Sequence, residues 1–495
     1  MKIKLLIRNF LFFILLSVTF YSTGQDTIRI ERKYSVEADF LGSSTSKTPF
    51  WLRANALGIV PNTGTNFTLK SVAFQEYATK NGKPKKYSWG YGFNGVTNIN
   101  GEGIDFLLPE AYMKAKAGIF EIWAGRRKEI FGLSDSSGIG TGPITWSSNA
   151  LPMPKVQIGT PNFVNIGFKG LFAVKVSYAH GWFDNGIVEN YYLHQKSLYG
   201  RIGRPNAKFK FYAGLTHNVQ WGGETTLPDK SKVYYHTDFP VYLSVVIPTK
   251  ERPWFNGVDL SKYSTYDKQY HFGNHSGSFD LGFEVTGKNR RLFVYKQAPF
   301  EYLATNSGVT EFEDGLYGIK ITNFKNEKVK EIVGEMIYTL NQSRYVSGFF
   351  KLLGLPTERW EENDNYFNHG QYADNWAYKG KVIGTPFIFP RKEFKGKLDT
   401  DEFQQYALMS NLLAFHLGMK GTLSPRKIQY QLKASYANHY IKDLKTPSRQ
   451  FSLGINTLTP IKLFGGSQLI TDLGFDYGDV YENVLGISFG VRRSW

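Results

Sequence analysis

Apolar and polar residues alternate along most of this chain. Tyr87, Trp89, Tyr91 and Phe93 alternate with Ser88, Gly90, Gly92 and Asn94. Phe172, Val174, Val176 and Tyr178 alternate with Ala173, Lys175 and Ser177. Phe209, Phe211 and Leu215 share one parity, and Phe279 to Val285 alternate with Asp280, Gly282 and Glu284. Ile428, Tyr430, Leu432 and Tyr436 alternate with Gln429, Gln431, Lys433 and Ser435, and Leu473, Phe475 and Tyr477 with Asp472, Gly474 and Asp476. A period of two sends the two sets to opposite faces of a strand. A soluble sandwich alternates as well. Here the second face carries charges, Gly and Ser throughout, over segments of about 8–11 residues, the length a tilted membrane strand needs.

The pattern predicts an all-β fold: one large antiparallel transmembrane β-barrel, polar inside and apolar outside. At roughly 20–26 residues per strand and connection, about 470 mature residues give about 18 strands. The chain ends on Leu485, Ile487, Phe489 and Val491, all on one face, with Trp495 on the same parity. An amphipathic last strand ending in an aromatic residue fits the signal read by the barrel-assembly machinery, whose usual last residue is Phe. Long connections are expected at Trp221 to His271, Gln297 to Gly315 and Asn341 to Glu402, facing outward. Ser134 to Pro154, rich in Gly, Pro and aromatics, is long enough to turn inward and plug the lumen. Asp401 to Ala414 reads equally as a short helix or a strand.

The first 24 residues pair Lys2, Lys4 and Arg8 with an apolar run from Phe10 to Tyr21, then Ser22-Thr23-Gly24. This reads as a secretory signal peptide with cleavage before Gln25. Residues 25–65 are expected to form a periplasmic or plug segment, and 66–495 the barrel. Gln25 to Thr65 shows no clear helical periodicity.

Composition sharpens this reading. There are 39 Phe, 31 Tyr and 50 Gly, and charged residues make up 20%. Aromatics suit strands and membrane interfaces, and the mean hydropathy of −0.32 is too polar for a helical membrane protein. Without cysteine the chain has no disulfide, thiolate nucleophile or Cys-ligated metal. The formal charge of +17 falls to +14 once the three signal cations are removed. A basic exported protein suits an acidic partner such as lipopolysaccharide phosphate or acidic polysaccharide rather than nucleic acid. A basic rim seated against lipid phosphates explains the charge equally well.

No phosphate-binding loop, HExxH helix or GxSxG elbow is present, and the nine His are scattered. No metal or cofactor is expected. Gly273-Asn274-His275-Ser276-Gly277-Ser278 faintly resembles the outer-membrane phospholipases. Neither serine would share the face of His275 in a strand, and the segment reads better as a turn.

The densest run of chemistry is Leu108-Pro109-Glu110-Ala111-Tyr112, then Gly125-Arg126-Arg127-Lys128-Glu129, Gly132, Asp135, Trp146-Ser147-Ser148-Asn149 and Pro152-Met153-Pro154-Lys155. Together with Thr48-Pro49-Phe50-Trp51-Leu52, His217-Asn218-Val219-Gln220-Trp221, Phe312-Glu313-Asp314-Gly315 and Asn365-Tyr366-Phe367, it resembles the Wzi-type capsule assembly proteins, in particular their Bacteroidetes branch. The likeness spreads over nearly the whole mature chain. It implies a monomeric outer-membrane barrel of a Gram-negative bacterium, a non-catalytic lectin that binds capsular polysaccharide and helps attach or assemble it at the cell surface. The alternative with the same strand pattern is a general or sugar-specific porin.

The residues suggest how a glycan would be held. Arg126, Arg127 and Lys128 follow a strand, so at least one should enter the lumen and pair with an acidic sugar; Glu129 or Asp135 can fix an arginine fork. The competing reading is an ion-pair ladder bracing the wall. Trp146 and Asn149 are candidates for a constriction or glycan contact, against simple loop packing. His217, Gln220 and Trp221 can meet sugar or join an aromatic girdle. Tyr366, Tyr372, Trp376 and Tyr378 can stack on sugar or pack their own loop.

Overall fold

The structure, a computed structural model, describes residues 28–134, 137–184, 186–226, 229–248, 258–259, 261–263, 267, 272–301, 312–342, 365–396, 398 and 406–495. The expected signal peptide lies outside the described residues.

Eighteen antiparallel strands close into one barrel. The wall begins with β1 (Arg32–Ser43), β2 (Asn66–Gln75), β3 (Tyr87–Asn100), β4 (Gly103–Ala117) and β5 (Phe120–Arg126). β6 is Lys155–Gly159, continued after an irregular step by Val164–Ile166; both pieces pair with the next strand, so the nineteen segments make eighteen strands. β7 (Phe172–Trp182), β8 (Tyr192–Ile202), β9 (Phe209–Trp221), β10 (Asn274–Thr286), β11 (Arg290–Phe300), β12 (Gly315–Asn323) and β13 (Glu331–Tyr338) follow. β14 (Leu412–Leu423), β15 (Ile428–His439), β16 (Ser448–Ile461), β17 (Ser467–Gly478) and β18 (Val484–Ser494) complete the circuit. β18 pairs back on β1 with Phe40 opposite Phe489, and Tyr34 and Trp495 exchange backbone hydrogen bonds at 3.0 and 3.1 Å. Every wall strand pairs with a neighbour on each side, so the barrel has no edge strand, as strands in lipid require.

The faces follow the sequence alternation. In β18, Leu485 and Phe489 are each 51% exposed on the outside, while Ser488 between them is buried inward. Phe93, Phe172, Phe211, Phe283, Phe415 and Tyr436 continue the apolar outer surface. A surface of this kind would be an aggregation liability in water and is the expected lipid contact of a barrel. Among the described residues no helix is long and apolar enough to cross a membrane; this chain crosses with strands. It is an outer-membrane β-barrel of a Gram-negative bacterium.

One end of the barrel carries the start of β1, the end of β18 and short turns such as 118–119, 203–208 and 424–427. The other carries most of the long connections, 44–65, 127–154, 222–273, 301–314 and 339–411. By the usual asymmetry of these barrels the short turns face the periplasm and the long ones the outside. Of the span expected to precede the barrel, Arg32–Ser43 is the first wall strand and 44–65 is an inward connection. At the periplasmic end Asn81-Gly82, both at positive φ, make the two-residue turn between Lys80 and Lys83, as a primed hairpin requires.

Two local expectations change. Asn274 to Ser278 is the start of β10 rather than a turn. Gly277 serves close packing, since a Cβ there would lie 2.2 Å from the Phe300 ring. His275 faces outward beside His217, while Ser276 and Ser278 take the opposite parity. Of Asp401 to Ala414, Leu412–Ala414 opens β14, and 401–405 lie outside the described residues.

Candidate functional site

The lumen is filled by its own connections. The described residues of 44–65, 127–154 and 365–411 turn inward and share one buried core, in which Phe50, Trp51, Trp146, Tyr366, Tyr372 and Trp376 meet. Their backbones interlock: Ser147 N donates to Ile383 O (3.0 Å), Thr385 N to Ile144 O (3.0 Å) and Leu57 N to Ser148 O (2.9 Å). Trp376 Nε1 donates to Thr145 O at 2.8 Å. Arg53 and Glu393 join two of the segments through a largely buried ion pair at 2.9 Å.

The polar inward residues of the wall act as clamps on this plug. Asp476 accepts from Phe50 N (2.7 Å), Asp280 from Leu133 N (2.6 Å) and Glu335 from Thr141 N (2.5 Å). Gln297 accepts from Ile144 N (3.0 Å), Ser435 from Trp51 Nε1 (3.1 Å), and His416 donates to Ile139 O (2.6 Å). Asp280 and Asp476 belong to the polar parity that the sequence suggested would line an interior. Their carboxylates meet backbone amides of the plug. A buried donor left unpaired costs about 1–3 kcal/mol, so each clamp opposes withdrawal of the plug.

The sequence-predicted residues are distributed through this arrangement. Arg127 pairs with Glu121 at 2.7 Å, its guanidinium 5.1 Å from the Tyr112 ring centre. Glu129 meets Lys155 at 2.5 Å and Gln157 at 2.8 Å, not an arginine. Glu121, buried inward near the start of β5, is the acid that Arg127 reaches from just past the end of that strand. The Lys155 ammonium is in turn enclosed by the rings of Phe131 and Trp146, at 4.9 and 4.8 Å. The space left beside Arg127, Glu129 and Trp146 is about 20 Å³, room for a water and not for a sugar ring. Asn149 is buried, accepting from Asn55 N (3.1 Å) and donating to Val382 O (3.0 Å). Trp221 lies on the outer wall, beneath the short helix α1 (Phe239–Val246) and beside Tyr192 and Tyr242. Gln220, one position earlier, points inward and donates to Asn375 O at 3.0 Å. Asp135 lies outside the described residues.

Two open spaces flank the plug. On the periplasmic side a vestibule of about 670 Å³ is roofed by Leu52, Asn55, Leu57 and Ile59. It is lined by Lys70, Lys128, Lys330, Lys420 and Arg492 against Glu37, Asp39 and Asp472. Of the predicted site residues that the structure describes, Lys128 alone lines this open space.

On the outer side a pocket of about 350 Å³ lies between residues 184–191 on one connection and 374–392 with Tyr406 on another. Asp184 accepts from Lys379 (2.7 Å) and Tyr378 (2.9 Å), and Arg126 reaches the same carboxylate from below at 3.7 Å. Arg126 also donates to Pro152 O at 2.8 Å and lies 5.7 Å from the Tyr378 ring centre. Partial burial pushes the Asp184 carboxyl up, but the Lys379 and Tyr378 hydrogen bonds outweigh it and hold it below the usual carboxylate range. Burial pushes Asp374, on the same pocket, above that range. Asp184, Asp374, Lys379, Lys392 and Tyr406 carry no motif. They come from connections nearly two hundred residues apart and meet only in the fold.

No family model and no curated protein matches this sequence. Among solved structures, OccK11 (OpdR) of Pseudomonas aeruginosa is similar over 94% of this chain and 95% of its own, at 8% identity and a TM-score of 0.42. OccK8 (OprE) of the same organism is similar over 94% and 98%, at 8% identity and a TM-score of 0.43. The anion-selective porin of Comamonas acidovorans is similar over 95% and 100%, at 10% identity and a TM-score of 0.36. At these values what the chains have in common is the large outer-membrane barrel.

Proposed function

We propose that this protein is a non-catalytic, lectin-like barrel that binds capsular or another extracellular polysaccharide and helps keep it at the cell surface, as its resemblance to the Wzi-type proteins implies. The observation that carries this reading is the clamped plug. An open diffusion porin needs a continuous lumen, whereas here the wall's inward acids and amides are committed to holding three inward connections. The outer pocket adds a place for contact, with carboxylates and ammonium groups above a floor of buried tyrosines. Arg126 braces that pocket from below. Arg127, Glu129, Trp146 and Asn149 contribute by fixing the plug on which it is built.

The test is surface polysaccharide in a deletion strain, divided into cell-attached and released fractions. Retention predicts that attached polymer falls and released polymer rises at constant total. An unchanged partition rejects the reading. A second reading, a porin for small sugars, is favoured by the basic vestibule, which would draw anionic solutes toward the plug if the plug moved aside.

A further inference from the structure

The outer pocket has a specific chemistry. Its floor is aromatic: Tyr191 is buried and stacks on Phe183 with ring centres 4.4 Å apart, and Tyr378 is buried beside it. Asp374 draws the opposite loop in, accepting from Ile187 N (3.0 Å) and Val188 N (2.8 Å). Gly186 allows that approach, since a Cβ there would lie 2.3 Å from the Asp374 carboxylate. Each carboxylate oxygen has a second lone pair, so Asp374 keeps acceptor capacity after these two bonds.

The charges are unevenly matched. Asp184 is served by Lys379 and Arg126 together. Lys392 stands at the mouth, its ammonium 4.8 Å from the Tyr406 ring centre, and has no carboxylate partner among the described residues. An ammonium at the mouth of a pocket of about 350 Å³, above an aromatic floor with carboxylate acceptors, is a donor awaiting an anion.

We propose that this pocket binds a carboxylated sugar unit, a uronic acid residue of an extracellular polysaccharide. Lys392 pairs with the sugar carboxylate, Asp374 accepts from ring hydroxyls, and Tyr378 and Tyr191 form the floor. Tyr406 holds the Lys392 ammonium at the mouth. The proposal rests on the polysaccharide-binding reading and names the chemical class it would take.

The test is calorimetric titration of the purified full-length barrel in detergent with trigalacturonate and with its methyl ester, which keeps the rings and removes the charge. The acid is expected to bind about tenfold or more tighter than the ester. Lys392→Ala should remove that preference and Lys392→Arg retain it. Lys325→Ala, on a short turn at the periplasmic end, lowers the net charge equally and should leave it unchanged. Equal binding of acid and ester, binding of neither, or a preference that survives Lys392→Ala overturns the proposal. If the deletion strain releases its polymer while the barrel ignores the carboxylate, this inference fails alone; if the strain keeps its polymer, the functional reading fails first.

Discussion

Removing Trp376 should loosen the plug while leaving the wall intact. Its side chain is fully buried, with ring centres 6.0 Å from Trp146 and 6.4 Å from Phe183. Its indole N–H donates to Thr145 O at 2.8 Å. Trp376→Ala therefore leaves a cavity between two inward segments and removes a partner from a buried carbonyl. Large aromatic deletions of this kind cost about 3–5 kcal/mol. The wall strands do not depend on this contact, so the loss should fall on local opening of the plug. At about 1.4 kcal/mol per tenfold, amides protected by that opening should exchange roughly 10²- to several 10³-fold faster. The reporters are Ser147 N, Ile383 N and Thr385 N, bonded to Ile383 O, Trp376 O and Ile144 O respectively. Hydrogen exchange by mass spectrometry reads these segments beside β16 and β17 as internal controls. Unchanged exchange in the plug, or equal loss of protection in the wall, would refute a plug whose stability is separate from the barrel.

The face assignment predicts that Phe489→Arg, on the lipid side, lowers stability by about 2–4 kcal/mol if it lies near the bilayer midplane. Gln429→Arg, in the polar vestibule, should change it far less; folding equilibria in lipid vesicles compare the two, and equal costs would reject the inside-outside pattern. For Asp184 the folded carboxyl is held below its ordinary value, so its contribution is complete above the unfolded value and is lost as pH falls through the folded one. Protection of the 183–191 turn, corrected for intrinsic exchange, should differ between wild type and Asp184→Asn at pH 6 and converge near about pH 2. A difference that persists in acid would show that the Asp184 charge is not what orders the turn. Asp374, whose carboxyl burial raises, titrates in both proteins and cancels in the comparison.

The barrel was legible because a lipid-facing wall forces a period of two. Tyr87 to Phe93, Phe172 to Tyr178 and Leu485 to Val491 all take the outward parity that their alternation requires. The site was much less legible. Arg126, Arg127, Lys128 and Glu129 were found as a charged run, but a run of adjacent residues does not tell which acid each cation meets. Arg127, past the end of β5, meets Glu121 near its start, and Glu129 meets Lys155 from the next strand. Trp221 looked like a strand-end aromatic. It is covered because residues after it fold back over the outer wall, and no local pattern records that. Lys392 and Asp374 carry no signal in the sequence because the pocket is assembled from irregular connections, where neither period two nor period 3.6 operates.

A lumen closed by a clamped plug would let the protein hold polymer at the surface rather than pass solutes, and planar-bilayer recording of the purified barrel distinguishes the two. A clamped plug gives insertion without stable conductance steps in the wild type, and openings in Trp376→Ala. Steady, long-lived open channels in the wild type would contradict it and make the porin reading the right one.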